Sequence, residues 1–199
     1  LGAVERSRGV GEIAGAALGS WSFAPGLTIL VGVTAVIYFR GWRVLRAQQP
    51  ERFSGWRLAA FLGGLATLWI AVSSPLDAFG GLLLQVHMLQ HWLLMMLVPP
   101  LLWLGLPAIP LLRGLPGVLQ RDGLGPLLAW PALQRFARLL VHPVFAWLVF
   151  VAFTWLWHAP GAYELALRSP FWHEFEHACF LASALMFWHP VVQPWPSRP

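Results

Sequence analysis

Histidines at helical spacing are the residues of this chain best suited to chemistry. Seven histidines occur among 199 residues. Four of them form two pairs with a spacing of four residues, His87 with His91 and His173 with His177. In a helix this spacing places both rings of a pair on one face, about 6 Å apart along the axis. Two imidazoles so arranged can bind one metal ion, and His158 offers a fifth imidazole close to the second pair in sequence.

Methionines in the first histidine segment indicate which metal would bind. Met88 follows His87 directly, and Met95 lies four residues beyond His91. Imidazole and thioether ligands together suit Cu(I), although methionine also fills irregular gaps in helical cores. We therefore predict a Cu(I) site formed by some of the following residues: His87, His91, His158, His173, His177, Met88 and Met95.

The second histidine pair also matches a protease motif. His173, Glu174 and His177 fit the H-E-x-x-H pattern, in which two zinc ligands and a general base share a helix. No Asp or Glu follows Glu176 in the chain to serve as a further ligand. Proteolysis is therefore a weaker hypothesis than copper binding. Glu174 and Glu176 are better explained as partners of imidazole N–H groups or as charges at a helix N-terminus.

The elements that must position these residues are membrane helices. Of the residues, 58% are hydrophobic and 11% are charged, whereas a soluble domain has roughly a quarter charged residues. Crossing a bilayer takes about 20 apolar residues per helix. We predict an all-α, polytopic transmembrane helical bundle in one domain, 1–199, with an interfacial segment at 108–140. Its five spans lie near 21–39, 56–73, 79–104, 141–158 and 170–192.

Arginines indicate how the bundle is oriented, because Lys and Arg are retained on the cytoplasmic side. The first and third connections contain nine of the thirteen basic residues: Arg40, Arg43, Arg46, Arg52, Arg57, Arg113, Arg121, Arg135 and Arg138. This predicts that the N-terminus lies outside and that five histidines lie in the outer half of the bilayer. The net charge of +5 is then a topology signal, so membrane lipid and not nucleic acid is the expected partner.

Three other polar residues lie near the predicted span ends. Asp77 is expected to cap the third span or to attract a cation to its entrance. His142 and His189 each precede a proline at an inner span end and are expected to be interfacial. The single cysteine, Cys179, excludes an internal disulfide and a paired-thiolate metal site.

Three segments resemble the CtaG-type cytochrome c oxidase assembly factors. They are HMLQHWLLMMLVPPLLWLGLP at 87–107, preceded by SSPLDAF, then WLWHAPGAYELAL at 155–167 and FWHEFEHACFLASALMFWHP at 171–190. The resemblance covers about 56–195. It implies a multi-pass protein of the bacterial plasma membrane that handles copper for the oxidase, with oxidase subunits as partners and no enzymatic turnover. Members continue into further spans, so the resemblance also implies that this chain is truncated relative to the family.

Carried over by position, the resemblance assigns His87 and His91 to the first motif and His158, His173 and His177 to the second region. The leading hypothesis is a Cu(I)-binding assembly factor. A haem protein is the first alternative, because histidines on two facing helices can ligate one iron. The second alternative is a purely structural assembly chaperone, in which the histidines only pack.

Overall fold

The computed structural model describes residues 15, 19–21, 25–80 and 82–193. The regular structure of these residues is helical and includes no strand, which confirms the predicted all-α fold class. The helices are α1 Pro25–Gln48, α2 Gly55–Ser73, α3 Pro75–Gly80, α4 Leu84–Trp92, α5 Val98–Leu104, α6 Ala108–Gly114, α7 Gly125–Ala129, α8 Pro131–Leu140, α9 Pro143–His158, α10 Pro160–Arg168 and α11 Pro170–Val192. Two π-helical turns, Leu93–Leu97 and Leu119–Leu124, join α4 to α5 and precede α7.

Three helices of the described chain are long and apolar enough to cross a membrane: α1, α2 and the continuous stretch Leu84–Leu104. A fourth is added if α8 and α9, bent by 64° at their junction, count as one span. Helix α9 alone has 16 residues, about 24 Å of helix. Helix α11 has 23 residues, and its histidines and glutamates lower its hydropathy. The protein is thus a helical membrane protein, and its five-span topology stays a prediction.

The third long helix contains a π-helical turn, Leu93–Leu97, just before two consecutive prolines. Pro99 cannot donate to the carbonyl of Met95, and its ring would clash with that carbonyl in a regular α-helix. The chain widens instead, so that the Val98 N–H bonds to the Leu93 carbonyl. The indole N–H of Trp188, on α11, donates to the released Met95 carbonyl at 2.9 Å. Two consecutive prolines, Pro99 and Pro100, predict a kink in this span, and the structure has a wider turn just before them.

Part of the segment 108–140, predicted to be interfacial, packs against the arginine-rich end of α1. A Cβ atom at Gly41 would overlap the Pro110 carbonyl, and one at Gly114 would overlap the Ile37 carbonyl. Only glycines allow α1 and α6 to approach so closely. Helix α8, by contrast, has no buried residue. It presents polar and apolar residues on opposite faces, as a helix at a membrane surface does.

Two apolar clusters form the core of the described chain. The first joins α1 and α2 around Tyr38, whose hydroxyl donates to the Gly105 carbonyl at 2.7 Å. The second joins the third long helix to α9, α10 and α11; its buried members are Met95, Trp157, Ala166, Cys179, Phe180 and Ala184. The Phe180 ring lies 4.7 Å from the ring of His91, so the second cluster borders the histidines.

Candidate metal centre

Helices α4 and α11 bring both histidine pairs together. Ring centroids within the pairs are 4.1 Å apart for His87 and His91 and 4.2 Å apart for His173 and His177. Across the helices, His87 lies 5.4 Å from His173, and His91 lies 5.2 Å from His177. These four residues, the histidine cluster, therefore form a four-cornered array. His87, His91 and His177 are buried, whereas His173 is half-buried.

A buried carboxylate lies between the rings of the histidine cluster. Glu176 is 1% exposed. Its Oε1 atom lies 3.9 Å from Nε2 of His91, and its Oε2 atom lies 3.7 Å from Nδ1 of His173. The sequence already favoured Glu176 as an imidazole partner. Its position three residues after His173 also places it on the histidine face of α11.

The cluster and its carboxylates contain two groups of possible ligands. The inner group is His87, His91 and Glu176, and all three residues are buried. The outer group is Asp77, His173 and His177, of which only His177 is buried. In each group one donor atom per residue lies within 4.8 Å of the others. Each group thus has the composition of a three-ligand metal site.

Several donor atoms in the centre have no hydrogen-bond partner within the described part of the chain. They are His87 Nε2, both ring nitrogens of His91, His177 Nε2 and Glu176 Oε2. A buried polar atom without a partner costs roughly 1–3 kcal/mol, and native proteins contain few of them. A bound cation would satisfy the lone pairs that the packing leaves open.

Asp77 has a different role from the cap that we expected. The residue at the start of α4 is Leu83, and no side chain caps that helix. Ser74 instead accepts a hydrogen bond from the Leu76 N–H at the start of α3. Asp77 accepts a hydrogen bond of 3.0 Å from Nε2 of Gln90 and belongs to the outer group. The expectation of a helix cap was therefore wrong, and the cation-attracting alternative is the one that this geometry favours.

Gln90 is the polar residue of the centre that sequence reasoning missed. It is fully buried, and its amide also donates to the Ala71 carbonyl at 2.8 Å. It therefore ties α4 to the end of α2 and fixes the carboxylate of Asp77. The available signal was its position three residues after His87, on the same helix face.

His158 lies beside the histidine cluster but in neither ligand group. It is exposed, and its ring centroid lies 6.4 Å from that of His91. Nδ1 of His158 lies 2.6 Å from the Thr154 carbonyl oxygen. A carbonyl can only accept, so Nδ1 carries the proton and donates. The lone pair of a neutral His158 is then on Nε2.

The two predicted methionine ligands differ in burial. Met88 is 37% exposed and directly follows His87 on α4. Met95 is buried in the apolar cluster that borders the centre. The structure therefore brings together His87, His91, His173 and His177 and places His158 at their edge. A methionine ligand stays a prediction.

The fold and the centre define a class of protein: a polytopic helical membrane protein with a buried histidine–carboxylate centre between two of its helices. The chain belongs to the family described as cytochrome c oxidase caa3 assembly factor, whose model matches residues 36–199. This confirms the resemblance seen in the sequence.

Curated relatives are mycobacterial. The chain is 31% identical to an uncharacterized protein of Mycobacterium bovis over 176 residues, which are 85% of this chain and 27% of that protein. It is also 31% identical to an uncharacterized protein of Mycobacterium leprae over 178 residues, again 85% of this chain and 27% of that protein. The chain thus spans about a quarter of the length of these relatives. No solved structure matches it significantly.

Proposed function

We propose that this chain assists the assembly of cytochrome c oxidase by binding Cu(I) at the histidine cluster and passing it to an oxidase subunit. Family membership supports the assembly role. The observation that carries the copper proposal is the set of buried imidazole and carboxylate atoms without partners. Copper here is cargo, and the role is one of binding and transfer without catalysis.

Charge balance supports a monovalent ion in the inner group. Isolated charges are expensive in a membrane interior and are found paired. Neutral imidazoles of His87 and His91 add no charge, and the carboxylate of Glu176 adds one negative charge. One Cu(I) ion at this position leaves no net charge, and imidazole is an accepted ligand of copper.

The exposure of the centre supports transfer. His173 has a side chain that is 24% exposed, and the exposed His158 lies at the edge of the cluster. A ligand at a surface can be exchanged for one from a partner, whereas a fully enclosed site would retain its ion. Under the predicted topology this opening faces outward.

The geometry favours an ion over the alternatives. A haem between α4 and α11 would need a flat macrocycle between facing imidazoles, but the facing rings lie only 5.2 Å and 5.4 Å apart, centroid to centroid. Glu174, the general base of a zinc-protease reading, is exposed, whereas the buried carboxylate belongs to Glu176. Histidines that only pack would be expected to have hydrogen-bond partners.

Copper content of the full chain purified in detergent tests the proposal. After anaerobic loading with Cu(I) and removal of unbound ion, the parent is expected to retain copper. The double variant His87→Asn, His91→Asn should lose it, because both imidazoles of the inner group are removed. His142→Asn is the matched control, since this histidine is exposed at the start of α9. Equal copper in parent and double variant, with unchanged circular dichroism, would contradict the proposal.

A further inference from the structure

We propose that the centre holds two Cu(I) ions in adjacent sites bridged by Glu176, one ion in the inner group and one in the outer group. This inference rests on the proposed function and adds the number of ions, their ligands and the order in which they exchange. It makes Asp77 a metal ligand and Gln90 the residue that positions it.

Both ligand groups are complete without sharing a histidine. The inner group takes one pair, His87 and His91, and the outer group takes the other, His173 and His177. Each group adds one carboxylate of its own, Glu176 or Asp77. Three ligands suffice to hold a metal ion while a fourth position stays open for exchange.

Glu176 lies where a bridging carboxylate is required. One of its oxygens faces His91 of the inner group at 3.9 Å, and the other faces His173 of the outer group at 3.7 Å. The two oxygens of one carboxylate can bind two metal ions, which in two-metal sites lie about 3.5–4 Å apart. Because Glu176 Oε2 is buried without a partner in the described chain, the second oxygen is available for this role.

For the monovalent Cu(I) of the proposed function, charge is consistent with the same number of ions. The centre contains two carboxylates, Asp77 and Glu176, among neutral imidazoles. A single Cu(I) ion would leave one negative charge unmatched in a region where unmatched charge is costly. Two Cu(I) ions match both carboxylates.

The two proposed sites differ in their exposure to solvent, and this difference sets the order in which the ions exchange. All residues of the inner group are buried, whereas Asp77 and His173 of the outer group are half-buried. The buried Gln90 holds the Asp77 carboxylate in place through a hydrogen bond of 3.0 Å. An ion therefore enters and leaves through the outer site, and Glu176 connects that site to the enclosed inner one.

Titration with Cu(I) against a chromophoric Cu(I) chelator, on the full chain in detergent under anaerobic conditions, measures the number of sites. The parent should bind two ions per chain, and Asp77→Asn should bind one. Asparagine keeps the shape of Asp77 and can still accept from Gln90 through its carbonyl oxygen. Glu174→Gln is the matched control, because Glu174 is exposed on the same helix as Glu176, and it should bind two.

The outcomes separate this inference from the proposed function. One ion in the parent and one in Asp77→Asn would overturn the two-site centre and leave a single-copper assembly factor. No copper bound to the parent would overturn both the two-site centre and the proposed function.

A measurement on the parent alone also tests the two-site centre. X-ray absorption of the fully loaded parent should show copper–copper scattering, and a spectrum without it would overturn the bridged pair.

Discussion

His91 lies at the middle of the centre. Its ring contacts those of His87, His177 and Phe180, at centroid distances of 4.1 Å, 5.2 Å and 4.7 Å. Neither of its ring nitrogens has a hydrogen-bond partner in the described chain. The lone pair of the His91 ring stays open because no neighbouring residue of the described chain forms a hydrogen bond with it. At the residue scale, the proposed copper binding depends on such positioning as much as on the proposed ligands themselves.

Gln90 provides a test of that positioning. Replacing it in Gln90→Leu removes the hydrogen bonds to the Ala71 carbonyl and to Asp77. The lost bonds should lower the free energy of unfolding by about 1–3 kcal/mol and weaken copper binding at the outer group. Circular dichroism during unfolding in detergent and Cu(I) titration measure the two effects. Gln85→Leu is the control, because Gln85 is exposed on the same helix; equal losses in both variants would contradict the role of Gln90.

The sequence could predict the imidazoles of the centre better than their partners. A spacing of four residues is enough to pair His87 with His91, and two such pairs must find polar surroundings inside a membrane protein. Gln90 and Asp77 were harder to assign, since their roles depend on how α2, α3 and α4 meet. Spacing alone could not decide between Met88 and Met95 as ligands, because the side on which a neighbouring helix packs is set by tertiary structure.

At the scale of elements, the π-helical turn Leu93–Leu97 joins the site to the rest of the bundle. The turn is forced by Pro99, and the carbonyl that it releases is bonded by Trp188 of α11. The same two helices supply the histidine cluster. The Trp188–Met95 hydrogen bond and the facing histidine pairs thus both fix how α11 packs along the third long helix.

Trp188→Phe tests this link. Phenylalanine keeps an aromatic ring but cannot donate to the Met95 carbonyl, which then lies in the apolar interior without its 2.9 Å bond. The free energy of unfolding should fall by about 1–3 kcal/mol, measured by circular dichroism in detergent. Trp147→Phe, at an exposed position of α9, is the control and should change stability little. A Trp188→Phe protein as stable as the parent would contradict the account of the turn.

Close packing of α1 against α6 gives a second test at this scale. Gly41→Ala places a methyl group against the Pro110 backbone, which can yield only by separating the helices. We expect a loss of about 1–3 kcal/mol, as for overpacking in other cores. Gly32→Ala, on the same helix with open space around it, should raise the free energy of unfolding by up to about 1 kcal/mol, because alanine favours a helix over glycine. Similar effects of the two substitutions would contradict the close approach.

The sequence could not show these element-level features fully. The prolines at 99 and 100 indicate a disturbed helix, but a kink and a π-helical turn are both compatible with them. The choice depends on whether a donor such as Trp188 reaches the released carbonyl. Likewise, the glycines of α1 and α6 gave no sign of their pairing, because α1 ends at Gln48 and α6 begins only at Ala108.

At the scale of the whole molecule, the arginines and the candidate metal centre lie at different ends of the long helices. The described arginines concentrate near the end of α1, the start of α2 and the segment from α6 to α8. The candidate metal centre lies where α4 and α11 begin and α9 ends. Hydrophobicity and arginine distribution were therefore enough to predict an all-α membrane bundle. They were not enough to fix its span number, because α9 is short and α11 carries the polar residues of the site.

Cysteine labelling tests the predicted orientation. Arg135→Cys on α8 and Glu164→Cys on α10 both introduce a thiol at an exposed position. In intact cells a membrane-impermeant thiol reagent should label Glu164→Cys and not Arg135→Cys, since arginine-rich connections are retained in the cytoplasm. The parent is the control, because its single cysteine, Cys179, is buried. Labelling of Arg135→Cys alone would reverse the predicted topology.

The most direct test of the central claim is the copper X-ray absorption spectrum of the full chain loaded anaerobically with Cu(I). If the histidine cluster binds copper, the edge should be that of Cu(I), and the outer-shell scattering should show the pattern of imidazole rings. This pattern should disappear, together with the bound copper, in the His87→Asn, His91→Asn variant. Copper coordinated only by sulfur, or a spectrum unchanged by that double substitution, would contradict the assignment of the copper site to these histidines.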